Sequence, residues 1–95
     1  MNNDYYLNTI PKSKEEAIHM DKLAEMWHTT ERGVRSIIAD LRNEGNLIVT
    51  DDNGYYVSYD TADLLAFYKK SRAKAMGIFK NVSNIRKVLK EQGAL

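Results

Sequence analysis

The sequence predicts an α+β fold, mostly α: three short helices and a β-hairpin, followed by one long helix. Three observations carry this expectation. Val34, Ile37, Ile38 and Leu41 recur at spacings of three, one and three residues, which is one helical stripe. Two β-rich runs, "NLIVT" and "YYVSY", flank "DDNG", and Asn-Gly between such runs is the strongest short hairpin signal. From residue 62 to about 91 the chain reads as uninterrupted helix.

The elements follow in order. Residues 3–8 are expected to form a short helix carrying Tyr5, Tyr6 and Leu7, limited by Pro11 because the residue before a proline is pushed out of the α region. "PKSKEE" is then a polar connection. Ile18 is expected to be extended, and a helix spans residues 21–27, where Leu23, Met26 and Trp27 make one apolar face and Asp21 suits the positive helix end. Thr30 is a natural N-cap for the third helix, Glu31 favours its first turn, and Gly45 closes it. Asn53 and Gly54 are expected at the centre of a type I′ turn, since both tolerate positive φ. Asp60 and Thr61 offer the next N-cap, and thirty helical residues reach about 45 Å. Gly77 weakens this helix by about 1 kcal/mol relative to alanine without stopping it. The order is helix, helix, helix, hairpin, long helix, with the division at residues 1–60 and 61–95.

Composition excludes several classes of function. Ninety-five residues make one domain, and the 43% apolar and 28% charged shares are those of a globular protein. Without cysteine there is no disulfide framework, thiolate nucleophile or zinc-finger ligand set. His19 and His28 lack metal-ligand spacing, no phosphate-binding loop or nucleophile elbow occurs, and Glu15 and Glu16 would point apart on a helix. The chain is therefore not expected to be an enzyme, nor to hold a metal or cofactor. Trp27 is read as core at the corner between two helices, and the tyrosines as packing residues. No apolar run approaches the ~20 residues that span a bilayer, and "MNNDYYLNTIPK" has no signal-peptide profile, so a cytoplasmic protein is expected.

The net charge of +1 hides an asymmetry. Residues 1–60 carry six Lys/Arg against eleven Asp/Glu, whereas residues 61–95 carry eight against two. Such a dipolar chain suits a basic helix that touches nucleic acid, or a tail that docks on an acidic body.

A second helix, a tight turn, a third helix with a polar face and a hairpin together make a winged helix-turn-helix. The third helix buries one stripe and leaves the other free for a major groove, which admits one α-helix. The stretch "DKLAEMWHTTERGVRSIIADLRNEGNLIVTDDNGYYV" resembles the winged helix-turn-helix of biotin-repressor-type regulators. It resembles still more the short winged-helix proteins encoded by phages and prophages of Gram-positive bacteria, with "IPKSKEEAI" before it and "SRAKAMGIF" after it in keeping. The resemblance covers most of residues 8–85 and implies duplex DNA binding through the exposed early positions of the third helix. Those positions are Arg32, Gly33, Arg35 and Ser36, with Thr30 at the helix start; Arg42 and Lys22 are backbone-contact candidates. Arg35 is expected opposite the core stripe. Two features oppose tight binding. The wing tip around Asn53 and Gly54 carries Asp51 and Asp52, and Glu31, Asp40 and Glu44 offset the arginines of the third helix. The wing is thus expected to be a structural hairpin or a contact for a protein partner.

In the long helix Leu64, Tyr68, Ser71, Ala75, Ile78, Val82, Ile85 and Leu89 alternate at steps of four and three, the seam of a coiled coil. The first two turns are expected to dock on the preceding domain through Leu64, Leu65, Phe67 and Tyr68. The rest, through Ala75, Ile78, Val82, Ile85 and Leu89, is expected to pair two copies as a homodimer, its lysines and arginines on solvated outer faces. Two functions follow. The first is a dimeric winged-helix DNA-binding protein acting in transcription regulation or phage DNA replication. The second is a protein-interaction adaptor on the same scaffold.

Overall fold

A computed structural model describes residues 3–95. The elements run α1 (Asp4–Thr9), a 3-10 turn (Lys14–Glu16), α2 (Met20–Met26), α3 (Glu31–Asn43), β1 (Ile48–Asp51), β2 (Gly54–Val57) and α4 (Thr61–Glu91). The α+β, mostly helical architecture and the order of elements are those the sequence predicts; the 3-10 turn lies inside the expected polar connection.

The core of residues 3–60 grows from the stripe of α3. Val34, Ile38 and Leu41 are at most 1% exposed, and they meet Leu23 of α2, Trp27 at its C-terminal end, Ile10, and Ile48, Tyr55 and Val57 of the hairpin. Burying each aliphatic side chain contributes roughly 1.5–3 kcal/mol. Trp27 ties α1 to this core as expected of a corner residue. Its Nε1 donates to Thr9 Oγ1 at 2.8 Å, the Thr9 hydroxyl donates to the Tyr6 carbonyl at 2.7 Å, and the Tyr6 and Trp27 rings meet edge-on at 5.0 Å.

Helix ends are set by local chemistry. The Thr30 side chain accepts from the Gly33 N–H, capping α3 as predicted. At its other end Gly45 (φ 101°) donates to Arg42 O and Asn46 to Leu41 O, the paired bonds of a Schellman motif. The turn between α2 and α3 repeats that pattern with His28 donating to Glu25 O and Thr29 to Ala24 O. His28 takes the left-handed position (φ 53°) that glycine usually fills.

The hairpin forms where expected, but its turn differs. The register pairs Asp51 with Gly54, so Asp52 and Asn53 form the tip. Neither has positive φ, which rules out the type I′ turn centred on Asn53 and Gly54. The Asn53 N–H instead donates to Asp51 Oδ1 at 2.8 Å, and Gly54 alone takes positive φ (121°). Gly54 is needed for a close approach: a Cβ there would fall on the backbone carbonyl of Ile18. Ile18, extended as predicted, exchanges two backbone hydrogen bonds with Tyr55, 2.8 and 3.0 Å, and Val57 donates to Pro11 O at 2.8 Å.

One face of the hairpin (Ile48, Tyr55, Val57) belongs to the core, while Val49 and Tyr56 line a cleft with Asp63, Ala66 and Phe67 of α4. Asp60 caps α4 by accepting from the Ala62 N–H, and Ser58 Oγ donates to Asp63 Oδ2 at 3.0 Å. Leu64 and Phe67 are half-buried there, but Leu65 and Tyr68, which the sequence also assigned to this docking, are 48% and 56% exposed. They lie on the flank of the helix turned from the hairpin. Beyond them every residue of α4 is exposed, and the helix projects past the head along the 50 Å long axis of the molecule.

Candidate nucleic-acid interface

The buried stripe of α3 dictates which residues its outer face presents. At ~100° per residue, Arg32, Ser36, Ala39 and Asn43 lie farthest from Val34, Ile38 and Leu41. All four are exposed. Arg35 is exposed too, but sits on the flank of α3 rather than opposite the stripe. Its Nη1 lies 3.4 Å from the Met20 sulfur at the start of α2. Lys22 is exposed in the first turn of α2. Lys22, Arg32 and Arg35 are thus exposed cations of the α2–turn–α3 unit.

Three of the expected contact residues are held by the protein itself. The Thr30 hydroxyl oxygen is engaged as the α3 cap. Gly33 is half-buried, and a Cβ there would fall on the Thr29 hydroxyl, so its absent side chain lets the turn pack on α3. Arg42 turns inward. Its Nε donates to Ile48 O at 2.9 Å and its Nη2 to Thr50 Oγ1 at 3.1 Å, while the guanidinium lies 4.6 Å from the Phe67 ring centroid. Burial lowers its pKa, partly offset by Tyr55. Arg42 thus links α3, β1 and α4.

A cation missed from the sequence joins this surface. Lys74 lines a cleft with Met20, Arg35, Thr50, Phe67 and Ser71. The signal was available: Lys74 lies one heptad after Phe67, on the stripe of α4 that faces the head. The hairpin tip contributes acid, with Asp52 and Asn53 exposed and Asp51 half-exposed. At the root of α4, Tyr56 is buried beside Asp63, Asp51 and Asp60. Burial first, then these negative charges and a hydrogen bond with Asp63, push its phenol pKa up.

Among the described residues no cluster of three or more His, Asp or Glu is placed to hold a metal ion, and no helix is long and apolar enough to cross a membrane. No protein-family model, curated protein or solved structure matches the chain.

Proposed function

We propose that this chain is a winged helix-turn-helix protein that binds double-stranded DNA, with α3 as the recognition helix, the β1–β2 hairpin as a short wing, and two copies acting together. The observation that carries the reading is the outer face of α3. It is uncovered, rigidly backed by a fully buried stripe, and flanked by cations on α2 and α4. Arg32 and Ser36 are positioned for base edges, whereas Lys22, Arg35 and Lys74 are positioned for phosphates along the rim. Affinity is modest because the wing tip is acidic and phosphate neutralisation supplies most of the binding.

Fluorescence anisotropy on duplex DNA at low and moderate salt tests this. Arg32→Ala is expected to cost roughly 1–3 kcal/mol on a preferred sequence and to relax preference at one base position, while Lys22→Ala weakens all sequences about equally and lowers the salt slope by about one. Replacing Asp51 and Asp52 with lysine is expected to tighten non-specific binding and steepen its salt dependence. Binding at low salt that none of these changes moves would defeat the reading. The acidic hairpin tip favours a second one, a protein-interaction adaptor on the same scaffold; it is taken up if the chain binds no duplex at low salt.

A further inference from the structure

The far half of α4 repeats the face with which its near half meets the head. Leu64, Phe67 and Ser71 are each followed eighteen residues later by Val82, Ile85 and Leu89, and eighteen residues are about five full turns. Phe67 carries the Arg42 guanidinium, and Phe67 and Ser71 line the clefts against Thr50 and Met20. Val82, Ile85 and Leu89 therefore point to the side of the rod on which the head sits, roughly 27 Å farther along. The head does not reach them. Ile78 is 64% exposed and Ile85 60%, and Ile85, Val88 and Leu89 line an apolar groove with Asn84.

We propose that the occupant of this face is the same face of a second copy, running antiparallel. Two observations select it. The spacing Ile78, Val82, Ile85, Leu89 is four, three, four, which reads the same in both directions. A two-fold axis between residues 83 and 84 thus seats Val82 on Ile85 of the second copy and Ile78 on Leu89. Direction is decided by the head. A parallel partner would have to run its own near half through the space on this side of α4 that the first head fills, whereas an antiparallel partner puts the two heads at opposite ends. The charges then fall favourably. Lys80, Lys87 and Lys90 face outward, and at the flank Phe79 of one copy meets Arg86 of the other, a cation–π pair instead of a like-charge clash. The head of a second copy cannot take this place, because its complementary surface already carries its own α4.

The pairing deepens the dimeric part of the proposed function and does not depend on DNA, so it is tested without DNA. The chain contains no cysteine, which makes the full-length variants Ile78→Cys and Leu89→Cys clean probes. Under mild oxidation their mixture is expected to give the mixed disulfide, while each alone gives little. Two identical positions at residue 78 are about 16 Å apart along the antiparallel pair, beyond disulfide reach. Disulfide-linked dimers of each variant alone would establish a parallel pair and overturn the proposal. So would a wild-type mass of one chain by light scattering at tens of micromolar; an acidic amphipathic helix would then become the partner to seek. Trp27 fluorescence confirms that the head is folded in each variant. DNA binding by a monomer, or pairing without DNA binding, separates the failure of one reading from that of the other.

Discussion

In α3 the apolar stripe Val34, Ile38 and Leu41 is at most 1% exposed, whereas in the far half of α4 the equally regular stripe Ile78, Val82, Ile85 and Leu89 is 37–64% exposed. Both obey the helical repeat. The difference lies in what reaches them. The stripe of α3 is closed over by α2, Ile10 and the hairpin, and the hairpin is tied by backbone hydrogen bonds to Ile18 and Pro11, far earlier in the sequence. In the far half of α4 every residue is exposed, with no other element among the described residues closing over it. Periodicity specifies a face, and the rest of the chain decides whether that face becomes a core. Most helical stability in proteins comes from tertiary packing of an amphipathic face, and within this chain only the near half of α4 has such packing.

The largest test of that contrast compares two isoleucines. Ile38→Ala is expected to cost roughly 2–5 kcal/mol of head stability in urea unfolding followed by Trp27 fluorescence. Ile85→Ala is expected to shift the same transition by less than about 0.5 kcal/mol at low protein concentration. Equal losses would mean that the far half of α4 is part of the head's cooperative unit. The next effect concerns the joint between the two regions. Arg42→Ala leaves the Ile48 carbonyl without its donor and Phe67 without its cation, and is expected to cost about 1–3 kcal/mol. Arg35→Ala, measured in the same unfolding assay, is expected to stay within about 0.5 kcal/mol.

A smaller effect depends on pH at the same joint. The folded state holds the Tyr56 proton longer than the unfolded chain does, because its pKa is raised. Stability from this group is therefore complete below about pH 10 and falls as pH climbs above that value toward the folded pKa. Tyr56→Phe is expected to flatten that alkaline fall while costing about 0.5–1.5 kcal/mol at neutral pH, read from urea midpoints across pH. The smallest effect belongs to the far helix. Gly77 has open space where a side chain would go. Gly77→Ala is expected to raise helicity by circular dichroism, stabilising α4 by at most about 1 kcal/mol, without moving the Trp27 transition.

Much of this was legible in the sequence because it is local. Thr30 caps α3, Val34, Ile38 and Leu41 go inside, and residues 61–91 run as one helix, each from propensity and spacing within a few turns. What was not legible required knowing which distant segments meet. Asn53 and Gly54 have the local preference for a type I′ turn. Gly54, however, answers to the Ile18 backbone that crosses beside it, and the tip moved to Asp52 and Asn53. Ile10 carries no periodic signal and is core because α1 folds back under Trp27. Arg42 reads as one more cation on a charged helix until β1 supplies a carbonyl and α4 an aromatic ring. Leu65 and Tyr68 were assigned to docking for being apolar. Rotation about the helix put Asp63 and Phe67 against the hairpin, as expected for Phe67, and left Leu65 and Tyr68 outside.

The pairing of Ile18 with Tyr55, and of Pro11 with Val57, sets when the head can form as well as what holds it. Contacts spanning this much of a short chain raise its contact order, and the loop they close has an entropic cost that is met before any reward arrives. On a ribosome the nascent head stays open until synthesis has passed Val57, however well α2 and α3 form alone. Helix α4 is made after the head and lengthens from an end anchored by Asp60 and Asp63. Its uncovered stripe thus follows in synthesis the segments that close the core, and the apolar partners of the head are all made before that stripe is complete.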